Sequence, residues 1–160
     1  VAIEAGIGEK VSFQVKNITV PTNAGADLDI LSILAAASVP IAIQRMVITS
    51  NQSSAQTVPI LVGILTATGS GGASTNASVN AEPPSGGTPG ETITYNNTTP
   101  GTLGTTTASS FWQIFNAYEF NRKPGGLLIT PAKLFVLRAL LGGVGSSFAA
   151  SIEGEYIRYA

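Results

Sequence analysis

The chain contains no cysteine and no histidine. Disulfide stapling, thiol nucleophiles, Ser-His-Asp and Cys-His catalysis and the usual His/Cys zinc sites are therefore excluded. Charge is scarce as well, at 11% of residues against about 25% in ordinary soluble domains. With a net charge of −1 there is no basic footprint for nucleic acid or anionic lipid, and copies of the chain repel one another only weakly. Long apolar runs are missing too: the most apolar window, residues 30–43, carries Pro40 and falls short of the roughly 20 residues a membrane helix needs. Glu4, Glu9 and Lys10 interrupt the region where the apolar core of a secretory signal would lie. No stretch shows a clear amphipathic helix pattern.

What remains is a strand-rich text. At 160 residues it suits a single domain, 1–160. Residues 10–16 alternate cleanly, with Val11, Phe13 and Val15 on one face and Ser12 and Gln14 on the other. Residues 26–37 fit either a helix capped by Asp27 or a strand on which Leu28, Ile30 and Leu34 share a face, and the strand is preferred. β-Branched residues favour extension over 41–49. Residues 57–67 form the next predicted strand, with Gly63 as a bulge and the preceding strand as partner. Further strands are expected over 111–120, 127–130, 133–141 and 148–159. The last two are read as a hairpin around 142–147, and Lys123-Pro124-Gly125-Gly126 as a turn. About eight or more strands at short spacing predict an all-β, jelly-roll-like antiparallel sandwich.

Two segments stand apart. Residues 1–9 read as an N-terminal arm. Residues 68–109 are rich in Gly, Ser, Thr and Asn, lack Lys and Arg, and read as a long excursion from the sandwich, with short strands around 92–95 and 103–107.

Several strands are apolar on both faces. In 133–141, Phe135, Leu137, Ala139 and Leu141 oppose Leu134, Val136 and Leu140 with a lone Arg138. A solvated sandwich strand alternates apolar with polar, so the second face is expected to bury against copies or partners. The candidate interface residues are Leu134, Val136 and Leu140, the aromatic group Trp112, Tyr118 and Phe120 with Arg122, and Ile93 and Tyr95 from the excursion.

Little chemistry is available. Gly69-Ser70-Gly71-Gly72 lacks the Lys-Ser/Thr ending and following helix of a phosphate loop. Asp27 with Asp29, and Glu153 with Glu155, each share a strand face, where they read first as solvated edges and otherwise as calcium ligands or an acid and base pair. Asn17, Asn51, Asn76, Asn96 and Asn97 match the glycosylation rule, as chance allows in so Thr/Ser-rich a chain. No catalytic residue and no cofactor are expected.

One resemblance runs from Lys10 onward. Leu65-Thr66-Ala67-Thr68-Gly69-Ser70-Gly71-Gly72 at a strand exit, Asn96-Asn97-Thr98-Thr99, Phe115-Asn116, and a closing pair of 134–140 with 148–156 carrying Glu153-Gly154-Glu155-Tyr156 resemble small virion structural proteins of tailed phages, of the head decoration or cement type. The chain departs from that pattern at Ala117-Tyr118-Glu119-Phe120-Asn121-Arg122-Lys123-Pro124, which is basic where such proteins carry a Pro-rich acidic stretch. The resemblance implies a self-associating, often trimeric sandwich on the capsid surface, bound to the major capsid protein lattice and performing no chemistry. Two other readings are a major shell subunit or tail component, and a carbohydrate-binding or adhesin module. The latter would use Trp112, Tyr118 or Tyr95 as stacking platforms beside calcium at Asp27 and Asp29.

Overall fold

A computed structural model describes residues 9–20, 27–51, 56–75, 80–82, 91–140 and 148–159. Among them there are twelve strands and no helix. The strands are β1 (Glu9–Val20), β2 (Asp27–Leu34), β3 (Ile41–Ser50), β4 (Thr57–Ala67), β5 (Ala73–Thr75) and β6 (Asn80–Glu82). They continue with β7 (Thr92–Asn97), β8 (Thr102–Gln113), β9 (Tyr118–Asn121), β10 (Leu127–Ile129), β11 (Leu134–Leu140) and β12 (Phe148–Arg158). Two antiparallel sheets pack as a sandwich. The first has the order β10-β3-β12-β1-β6, with β9 also on β3; the second has the order β5-β7-β2-β11-β4-β8. The N-terminal arm and the 142–147 turn lie outside the described residues, apart from Glu9.

The period-two pattern fixes which face is buried. Val11, Phe13 and Val15 of β1 turn inward with Ile152 and Tyr156 of β12 and Ile43, Met46 and Ile48 of β3. Leu31 and Ile33, Ile60 and Val62, and Phe135, Leu137 and Ala139 face them from the second sheet. Aromatic contacts tie the layers together: Trp112 meets Phe148 edge-on at 5.7 Å between centroids, and Phe120 meets Phe135 at 6.0 Å.

Two predicted pairings and one strand limit are corrected. β4 does not pair with β3; it lies between β11 and β8, while β3 lies in the other sheet. β11 and β12 are not a hairpin, because β11 joins β2 and β4 while β12 joins β1 and β3. Strand pattern alone carries no partner information. Residues 111–120 are not one strand either: β8 ends at Gln113, and the chain turns to β9 in the opposite sheet. The turn is held by Trp112 Nε1, which donates to the Asn116 carbonyl at 2.8 Å.

The 68–109 segment is built into the sandwich. It contributes β5, β6, β7 and most of β8, so the short strands expected around 92–95 and 103–107 are present in longer form. The irregularity expected at Gly63 lies in the β4–β8 ladder, where the register shifts between Val62 and Gly63. A further shift falls between Leu137 and Arg138 on β11, which pair with Leu31 and Asp29, so Ile30 is the extra residue of β2. Ile30 and Leu31 both enter the core as a result, and Leu34 sits with the outward cluster rather than with Leu28 and Ile30.

Candidate interaction surface

The outward face of the second sheet is apolar, as the sequence predicts, yet the chain covers it itself. Leu65, Leu134 and Val136 form a second buried cluster there, flanked by Leu34 and Leu103, and Val136 is fully buried. The strand order explains the cover. Residues 68–72 must travel from β4 past β11, β2 and β7 to β5, and residues 98–101 must travel back from β7 to β8. The two crossings pair with each other: Ser70 N–H donates to Thr99 O at 2.9 Å, and Thr99 N–H donates to Ser70 O at 3.0 Å. They form a two-ply strap over the sheet. Close approach is the reason glycine serves at position 101, where a Cβ would meet the Ala67 carbonyl and lie 2.7 Å from Leu65 Cδ1.

A buried ion pair anchors the strap. Arg138 Nε donates to Asp29 Oδ1 at 2.6 Å, with the Asp29 side chain 0% and the Arg138 side chain 9% exposed. Both groups then bond the same residue of the strap: Gly101 N–H donates to Asp29 Oδ2 at 2.7 Å, and Arg138 Nη2 donates to Gly101 O at 2.7 Å. A charge pair removed from water is tolerated when its remaining hydrogen-bonding capacity is met in this way. Ser32 Oγ and Thr94 Oγ1, 2.5 Å apart, and Asn97, which donates to Thr94 at 3.3 Å, satisfy one another on the same face. Asp29 is thereby committed to Arg138 and Gly101, while Asp27 is exposed. No cluster of three or more possible metal ligands occurs among the described residues.

The outward face of the first sheet is wet and charged. Glu155 lies between Lys10, at 3.2 Å, and Lys123. The hydrogen bond from Lys123, and then the one from Lys10, hold its carboxyl below the usual value against the opposing effect of burial. Glu119 is likewise lowered, by Asn121 first and Arg45 second. Ser12, Gln14, Arg45, Glu153 and Glu155 line a shallow depression of about 280 Å³. At the β7 end of the molecule, Tyr156 donates to buried Glu91 at 3.3 Å, and Arg158 Nε lies 3.3 Å from the other carboxylate oxygen.

The sequence-predicted interface residues do not form one surface. Leu134 and Val136 lie beneath the strap, and Trp112, Phe120 and Ile93 are core, so their burial requires no second copy. Tyr95, Tyr118 and Leu140 are half-buried, with the Tyr118 hydroxyl 2.9 Å from Ser110 Oγ. Arg122 is exposed and places its guanidinium 5.6 Å from the centre of the Phe120 ring. Trp112, at 1% exposure, offers no platform for sugar stacking. Among the described residues, the exposed large apolar side chains are instead Phe111 at 73%, Leu128 at 54% and Phe115 at 43%. Phe111 was legible as the residue opposite Trp112 in the alternation, but which of the two faces is inward is settled only by β4, where Phe111 pairs with Pro59 and Trp112 with Val58.

No family model and no curated protein sequence matches the chain. Among solved structures, an arabinose-bound α-L-arabinofuranosidase is similar over 89% of this chain at 11% identity with a TM-score of 0.31. The chain spans 19% of that protein's length, and a likeness at this level assigns no activity.

Proposed function

We propose that the chain is a non-enzymatic structural protein of a virion, a capsid decoration protein that self-associates and binds across the lattice of major capsid subunits. The observation that carries this reading is the pair Phe111 and Phe115 at one corner of a near-neutral sandwich, where β8 turns toward β9. Exposed aromatics of this kind are the side chains that anchor protein contacts. The charged groups on the open sheet face pair with one another instead of converging on a reactive atom. The phage resemblance points the same way, although the β11–β12 hairpin in it is absent. The expected contact is apolar, and apolar contacts resist salt screening.

The test is cosedimentation with heads assembled from the accompanying major capsid protein alone. Binding is expected to persist from about 0.1 to 1 M salt. The double variant Phe111→Ser, Phe115→Ser is expected to weaken it by about thirtyfold or more, since a single aromatic anchor carries about 2 kcal/mol or more. Absence of cosedimentation, or binding abolished by salt, overturns the reading.

A further inference from the structure

The edges of the two sheets are unequal. Among the described residues, β5, β6 and β10 are three residues long and β9 is four, and short edge strands resist pairing with other chains. β8 is twelve residues long, is paired with β4 on one side, and has no described strand on the other. Its sequence, Thr-Leu-Gly-Thr-Thr-Thr-Ala-Ser-Ser-Phe-Trp-Gln, contains no charge and no proline, the devices that commonly block edge pairing. Register shifts bend its first half, but from Ala108↔Val62 to Gln113↔Thr57 the ladder is regular. On that run Ser109, Phe111 and Gln113 are exposed.

We infer that β8 pairs antiparallel with the β8 of a second copy over residues 108–112, about a twofold axis at Ser110. The occupant is a second copy because the segment is self-complementary. A twofold antiparallel pairing sets neighbouring residues of one strand against those of the other, and here no like charges meet. An axis at Ser110 sets Phe111 opposite Ser109 of the copy and diagonal to the copy's Phe111, so the two rings lie side by side on one outward face of the joined sheet and stay open to the capsid contact proposed above. The pairing merges two six-stranded sheets into one of twelve. It deepens the self-association in the reading above and gives a dimer, whereas the resemblance to decoration proteins implies a three-membered ring.

The test is solution mass by light scattering across a dilution series of the whole chain, with Ser109→Lys, Ser109→Glu and their equimolar mixture. The wild type is expected near twice 16.3 kDa. Each single variant should fall to the monomer mass with an unchanged circular dichroism spectrum, because position 109 is exposed, and the mixture should regain the dimer. Amide hydrogen exchange within 108–112 should slow as wild-type concentration rises. A wild-type monomer at all concentrations, a mass near three times 16.3 kDa, or dimeric Ser109→Lys overturns edge pairing. Cosedimentation of the same variants with heads is read separately: a monomeric Ser109→Lys that still binds heads upholds the pairing and shows that head binding does not depend on it.

Discussion

The outward faces of the two sheets answer the same problem in different ways. On the first sheet, Lys10, Ser12, Gln14, Glu153 and Glu155 alternate with core residues and face solvent. On the second sheet, Leu65, Leu134 and Val136 look outward and are buried by the strap, whose seat is the Asp29–Arg138 pair. Apolar residues on both faces of a strand therefore do not by themselves demand a second molecule. A crossing connection of small residues can serve as the third layer.

The comparison is broken most directly at the ion pair. Arg138→Ala leaves Asp29 buried and uncompensated and is expected to cost about 3–5 kcal/mol, read as a fall in the urea midpoint. Asp29→Leu combined with Arg138→Met should cost distinctly less, because no charge is stranded. If Arg138→Ala costs no more than a surface substitution, the strap is not anchored there. Val136→Ala, which removes two buried methyl groups beneath the strap, should cost about 2 kcal/mol by the same measurement. A loss near zero would mean that the strap lifts from the sheet in solution.

The smallest effect belongs to the wet face. Glu155→Gln should cost at most about 1 kcal/mol near pH 7. Because Lys123 and Lys10 lower the folded carboxyl, its contribution is present above the unfolded value of about 4.3 and is lost as pH falls through the lowered folded value. Wild type and variant should converge in acid, and a constant difference across that range would assign the loss to packing instead of charge.

Much of this was readable in order along the chain. The limits of β4 match the apolar alternation of residues 57–67, and β3, β11 and β12 fall within a residue or two of their predicted spans. The reading of 26–37 as a strand holds for β2, and the shared face of Asp27 and Asp29 survives the bulge at Ile30. The corner at Phe111 was not legible as a surface, because an alternating pattern gives two faces without saying which is inside. The strap was not legible at all. Gly69, Gly71, Gly72 and Gly101 signal loop, and nothing local reveals that the loop lies across a sheet.

The sequence by itself determined the strand-forming segments, the absence of thiol and imidazole chemistry, and the two-sided apolarity of β11. These depend on residue type and on the two-residue period of extended chain, which are local properties. Only the tertiary structure decided that β11 and β12 belong to different sheets, that Arg138 meets Asp29 across 109 residues of chain, and that the second apolar face is covered from within. Each of these is a choice of partner between distant segments. It is made by which arrangement buries the most apolar surface while leaving few polar groups unpaired, and that balance is struck by the folded chain as a whole.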